Sequence, residues 1–164
     1  MLITFTAKNC KETQKLGEKL AKEVLRQAQD KSHAFILGLK GDLGGGKTTF
    51  LQGFAKGLGV KEKILSPTFV IMKKFKIPKR PLDIKRPVGH FTGRKFFYHV
   101  DCYRIKNEKD ILELNFKNII SDPKNIVAIE WPSRIKKLLP KSAIIIEFSF
   151  INEKGRKITW KKDL

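Results

Sequence analysis

Nothing else in the chain restricts its architecture as tightly as a glycine-rich loop set between an apolar run and a helical pattern. Residues 34–39 (AFILGL) are apolar without a break, the mark of a strand buried on both faces of an α/β sheet. The loop Gly41-Asp42-Leu43-Gly44-Gly45-Gly46-Lys47-Thr48 follows and satisfies G-x-x-x-x-G-K-[ST] at every fixed position. Helical spacing resumes from Thr48 to Leu58, with Phe50, Phe54 and Leu58 on one face and Leu51 and Ala55 beside them. Gly57 and Gly59 are placed to end that helix. Glycines at 41, 44, 45 and 46 let backbone N–H groups curl around an anion without Cβ clashes. The helix opening at Thr48 and Thr49 turns its positive dipole end toward the same anion. Lys47 supplies a point charge for the outer phosphates, and the Thr48 hydroxyl is a hard oxygen ligand suited to Mg²⁺. The loop thus implies a nucleoside triphosphate with magnesium, and says nothing about purpose.

The rest of the chain reads as further strands and helices. Residues 2–6 (LITFT) suit a short strand. Asn9, three residues before Glu12, opens a helix with a capping-box pattern, and Leu16, Leu20, Val24 and Ala28 give it one apolar face. A Ser66-Pro67-Thr68 turn leads into a strand within 69–77 (FVIMKKFKI). Strands are expected at 96–103 (FFYHVDCY) and 126–131 (IVAIEW), with a helix over 109–120 between them that turns Leu112, Phe116, Ile119 and Ile120 inward. The tail reads as a hairpin, 142–151 and 156–160, in which Ile144, Ile146, Phe148 and Phe150 alternate and Asn152–Gly155 form the turn. The fold class expected is α/β: one P-loop domain over 1–164, with a mostly parallel central sheet flanked by helices and a C-terminal antiparallel hairpin.

A phosphate loop needs carboxylates to manage metal and water. Asp101 and Glu130 each follow an apolar strand pattern, at the strand ends where α/β folds place their sites. Thr68 is a candidate to offer a hydroxyl to the γ-phosphate or the metal. His33, His90 and His99 show no metal-ligand spacing; His99 reads as a packed strand histidine, with contact to the site as the alternative. The chain has no Asn-Lys-x-Asp guanine-reading motif, which disfavours GTP, and no arginine-rich lid of the small-molecule-kinase pattern.

Composition adds one further question. Against 35 Lys and Arg stand 16 Asp and Glu, a net charge of +19. That balance suits a polyanionic partner, although a lysine-favouring, AT-biased genome produces it without any ligand. Residues 73–95 carry nine Lys or Arg, one acidic residue (Asp83) and prolines at 78, 81 and 87, so this stretch reads as a basic excursion between two strands. It is either a solvated loop or an RNA- or partner-binding arm. Two cysteines without a CxxC pair give no disulfide or zinc framework. The N-terminus lacks a signal-peptide pattern, and no apolar run reaches a bilayer-spanning length, so a cytoplasmic protein without membrane association is expected.

Four motifs occur in one order: Gly-Asp-Leu-Gly-Gly-Gly-Lys-Thr-Thr-Phe (41–50), Ser-Pro-Thr-Phe (66–69), Tyr-His-Val-Asp-Cys-Tyr-Arg (98–104) and Ile-Glu-Trp-Pro (129–132). Together they resemble the TsaE (YjeE) family, the ATPase component of the bacterial machinery that makes threonylcarbamoyladenosine in tRNA. The resemblance covers nearly the whole chain. It implies ATP and Mg²⁺ as ligands, slow hydrolysis by the isolated chain, and the TsaB–TsaD heterodimer as partner. It implies that Thr48 and Glu130 hold the metal, that Asp101 supports the metal or water shell, and that Thr68 is the switch threonine. It further implies that Trp131 packs beside the nucleotide and that Cys10 and Gly155 line the adenine. The 73–95 segment is longer and more basic than the usual family connection, which makes tRNA a candidate partner through the complex or through that segment. A stand-alone P-loop kinase of a small metabolite and a nucleotide-dependent RNA-binding module remain as alternatives.

Overall fold

A computed structural model describes residues 2–26, 32–67, 70–78 and 93–161. They form a seven-stranded sheet with helices on both faces. The strands are β1 (Leu2–Ala7), β2 (Phe35–Gly41), β3 (Met72–Lys76), β4 (Phe96–Asp101), β5 (Asn125–Glu130), β6 (Ile144–Phe150) and β7 (Arg156–Lys161). Their order across the sheet is β1-β7-β6-β2-β5-β4-β3. The four central strands β6, β2, β5 and β4 run parallel. Antiparallel strands border them: the β6–β7 hairpin extended by β1 on one side, and β3 on the other. The mostly parallel centre and the terminal hairpin agree with the sequence reading. The antiparallel edges supplied by β1 and β3 are additions to it.

Helices α1 (Cys10–Arg26) and α2 (Lys47–Gly57) cover one face. Asn9 caps α1 by accepting the Glu12 N–H at 3.0 Å, while the Glu12 carboxylate reaches back to the Lys8 N–H at 2.8 Å. Leu20 and Val24 are buried as the four-residue stripe requires; Ala28 lies outside the described residues. α1 packs on α2 at very short range. A Cβ on Gly53 would lie 1.9 Å from the Gln14 carbonyl oxygen, and one on Gly17 would lie 2.2 Å from that of Phe50. The end of α2 is closed by two carbonyls, with the Gly59 N–H on Lys56 O at 2.9 Å and the Val60 N–H on Ala55 O at 3.0 Å. Phe50, Phe54, Phe97 and Phe148 fill the core beneath, joined by Leu37, Leu39 and Ala128.

The opposite face is built from shorter pieces. The helix expected over 109–120 is two helices, α3 (Glu108–Leu112) and α4 (Phe116–Ser121). Asn115 breaks it at φ 60°, in the left-handed region that asparagine tolerates. The break lets both Ile111 and Phe116 reach the core. Pro132–Leu138 forms 3-10 turns over the same face, an element the sequence reading omitted. Strand β3 is shorter than the run 69–77, and β4 ends at Asp101 rather than at residue 103. Of the alternating residues in β6, Ile144, Ile146 and Phe148 are buried and Phe150 is 63% exposed. Most of the basic 73–95 excursion lies outside the described residues; Lys73, Lys74, Lys76 and Lys95 flank it on the surface. Among the described residues no helix is long and apolar enough to cross a membrane.

Candidate functional site

The parallel strands β2, β5 and β4 end side by side, and the glycine loop leaves the first of them. Gly46, at φ 94°, is the residue before α2 and takes the left-handed turn that a side chain would resist. Gly41 backs onto β6, where a Cβ would meet the Phe148 carbonyl oxygen at 2.4 Å. Lys47 is 4% exposed and folds over the loop, donating to the Gly41 and Asp42 carbonyls at 2.8 and 2.7 Å. Its Nζ also lies 4.4 Å from the centre of the Trp131 ring. Burial lowers the Lys47 pKa, and the Glu130, Asp101 and Asp42 carboxylates oppose that shift.

The carboxylate side is assembled across strands. Asp101 and Glu130 are register partners at the ends of β4 and β5. Side chains alternate along a strand, so Phe97, His99 and Asp101 share one face, as do Ile126, Ala128 and Glu130. Phe97, Ile126 and Ala128 lie in the core beneath α1 and α2, which puts the polar groups of both strands toward the start of α2. The Thr48 hydroxyl donates to Glu130, 3.1 Å from Oε1 and 3.4 Å from Oε2. Asp101 accepts the Ser66 hydroxyl at 2.7 Å and the Tyr103 N–H at 2.9 Å. After Glu130 the chain turns sharply at Trp131, φ 59°, which brings the indole against Lys47 and against Tyr103, 5.2 Å between ring centres.

These groups surround a cleft of about 360 Å³. Of the residues singled out from the sequence, Cys10, Gly44, Gly46, Lys47, Thr48, Thr49, Asp101 and Glu130 line it, as does Trp131. Gly41, Gly45 and Gly155 do not; the first two shape the loop from behind, and the neighbours of Gly155 line the cleft in its place. Thr68 lies outside the described residues. Sequence reasoning missed Ser66, Tyr103 and Arg156. Ser66 and Tyr103 stand inside the quoted motifs, and Arg156 directly follows Gly155. The Arg156 guanidinium ties the hairpin turn to the loop, with Nη2 on Gly44 O at 3.0 Å and Nη1 on Asn152 O at 2.8 Å. His99, read as a packed strand histidine, is fully buried and also touches the site, with Nε2 2.8 Å from Glu130 Oε1.

The donor set suits a hard cation. A hydroxyl and a carboxylate meet at 3.1 Å, and Glu130 and Asp101, both 4% exposed, face a cradle built for phosphates. Phosphates beside two buried carboxylates repel them unless a divalent cation lies between. Among the described residues no group of three or more His, Cys, Asp or Glu side chains forms a metal cage.

A strand–loop–helix cradle whose lysine and threonine face carboxylates on neighbouring parallel strands defines the P-loop nucleotide-binding class. The sequence profile described as "Threonylcarbamoyl adenosine biosynthesis protein TsaE" matches residues 7–158. The chain belongs to the TsaE family. It is 34% identical over 125 residues to the tRNA threonylcarbamoyladenosine biosynthesis protein TsaE of Bacillus subtilis, covering 76% of this chain and 68% of that protein. It is 35% identical over 122 residues to the protein of the same name from Rickettsia bellii, covering 74% and 73%. With the Rickettsia felis protein, also so named, identity is 33% over 149 residues, covering 90% and 73%. In fold it is similar to the crystal structure of Bacillus subtilis YdiB, with a TM-score of 0.63 and 23% identity over 98% of this chain and 84% of that one.

Proposed function

We propose that this chain is the ATP-binding and ATP-hydrolysing subunit of the machinery that makes threonylcarbamoyladenosine in ANN-decoding tRNAs. In this reading it works in the cytoplasm and resets the TsaB–TsaD heterodimer between cycles. The observation that carries the catalytic part is the Thr48–Glu130 contact at 3.1 Å across the mouth of the phosphate loop. It sets together the two oxygen donors that a magnesium-bound triphosphate requires of a P-loop protein.

Each residue then has a task. The loop N–H groups and the N-terminal end of α2 bind phosphate oxygens. Lys47 exchanges its two carbonyl partners for the outer phosphates, a stronger charge-assisted contact. Thr48 and Glu130 hold Mg²⁺, which neutralises charge on the phosphates when bound. Asp101, fixed by Ser66 and the Tyr103 N–H, orients the water shell. Thr68 serves as the switch hydroxyl. Cys10 and the hairpin turn at Gly155 border the base, and Trp131 shields Lys47 from solvent.

The test is phosphate release from ATP by the purified chain, with and without TsaB–TsaD. Slow release by the chain alone and clear stimulation by the heterodimer are expected. Transfer of the γ-phosphate to a small metabolite, with no free phosphate released, would replace this reading with a kinase.

A further inference from the structure

His99 is fully buried in β4, and none of the roles above uses it. Its Nε2 lies 2.8 Å from Glu130 Oε1, while Nδ1 has no hydrogen-bond partner. A buried N–H left bare is rarer and costlier than a bare acceptor. The ring therefore carries its proton on Nε2, donates it to Glu130, and leaves Nδ1 as the unpaired acceptor. The register explains the reach. His99 stands beside Ala128, one pleat short of Glu130, and the methyl of Ala128 leaves the imidazole room to lean along the sheet.

Glu130 is held from two sides, and the two holds differ. The Thr48 hydroxyl has one proton and two lone pairs, so it can give the proton to Glu130 while a lone pair takes on a second duty toward a metal. The imidazole has no such second duty, because its ring is locked by packing. We propose that His99 is a positioning residue that fixes the Glu130 carboxylate for a divalent cation, a role that rests on the ATP–magnesium reading of the cleft. Buried donors behind a metal-binding group commonly set its orientation, and their loss weakens metal binding about 10–100-fold.

The experiment measures the affinity of the intact chain for a fluorescent, non-hydrolysable ATP analogue in EDTA and again in MgCl₂. Thermal melting of each variant is recorded separately. In His99→Phe the EDTA affinity is expected to stay as in the unsubstituted chain, and the gain on adding Mg²⁺ to fall about tenfold. His99→Gln, whose amide reaches the Nε2 position, is expected to restore most of the gain. His99→Asn, one methylene shorter, is expected not to. If the phenylalanine variant does not fold, the glutamine–asparagine pair gives the same answer, because both amides keep the slot polar and only one spans it. A full Mg²⁺-dependent gain in His99→Phe or His99→Asn overturns the proposal while leaving the ATP–magnesium reading intact. No Mg²⁺-dependent gain in the unsubstituted chain overturns both.

Discussion

The phosphate loop takes its shape from eight consecutive residues, 41–48, whereas the carboxylate side joins residues up to 82 positions apart, as in the Thr48–Glu130 bond. The loop is held mainly from within: Gly46 at its left-handed turn, the Gly45 N–H on Asp42 O at 3.1 Å, and the Lys47 side chain folded onto the carbonyls of its own loop, with Arg156 on Gly44 O as a tie from the hairpin. The carboxylates are held by side chains from elsewhere, namely Ser66 on Asp101 and His99 and Thr48 on Glu130. A cradle of backbone amides survives most substitutions of its neighbours. A carboxylate pair placed by cross-strand contacts does not. The two sides are therefore expected to fail differently.

The sharpest break is on the loop side. In Lys47→Ala the phosphates lose their buried countercharge, and ATP affinity is expected to fall by about 3 kcal/mol, roughly a hundredfold. The fall is expected with or without Mg²⁺, by calorimetric titration. An affinity within threefold of the unsubstituted chain would show that the backbone cradle suffices alone.

Glu130→Ala attacks the other side. Binding of ATP in EDTA is expected to persist, since the repulsion of one carboxylate has gone. Hydrolysis with TsaB–TsaD is expected to drop about a hundredfold, since the site loses several kcal/mol of metal-dependent stabilisation. Normal turnover by this variant would remove Glu130 from the metal-binding role and break the division of labour between the two sides.

The same contrast explains what could be read in the sequence. The loop is a contiguous pattern, so its residues were legible one by one. Asp101 and Glu130 were legible as strand ends, because apolar runs buried on both faces mark β4 and β5. Their mutual register was not, nor was the reach of His99 past Ala128, because strand pairing depends on the whole sheet. On the α3–α4 face, periodicity over 109–120 suggested one helix; the left-handed turn at Asn115 is set by the need to bury both Ile111 and Phe116. Arg156 stayed hidden for a related reason. Its hydrogen-bond acceptors are carbonyls, those of Gly44, Asn152 and Gly155 among them, and carbonyl contacts leave no mark in residue types.

Whether the loop side depends on its supporting helices is tested at Gly53. A methyl there would collide with the Gln14 backbone at 1.9 Å and push α1 off α2. Overpacking of about 3 kcal/mol against a helix-propensity gain of about 1 leaves roughly 2 kcal/mol of destabilisation. That corresponds to a drop in Tm of about 6 °C for a chain of this size. If the loop is as self-contained as its backbone contacts indicate, Gly53→Ala keeps its ATP affinity well below the new Tm. A parallel loss of affinity would show that α1 and α2 packing shapes the cradle.

The smallest effect probes the border of the loop side, where α1 begins. Cys10 is exposed and lines the cleft, whereas Cys102 is buried, and burial followed by the Asp101 charge pushes its thiol pKa up to about 12. Only the thiolate reacts with alkylating agents. Iodoacetamide is therefore expected to modify Cys10 and spare Cys102, which serves as an internal control for unfolding. With ATP at ten times its Kd, about a tenth of the clefts remain free, so Cys10 alkylation is expected to slow about tenfold by mass spectrometry, an effect of ~1.4 kcal/mol. Equal rates with and without saturating nucleotide would place Cys10 beyond the base and confine the binding surface to the loop, the hairpin and the carboxylate side. Protection of Cys10 in Lys47→Ala at the same nucleotide concentration would locate the residual affinity in contacts to the base rather than to the phosphates.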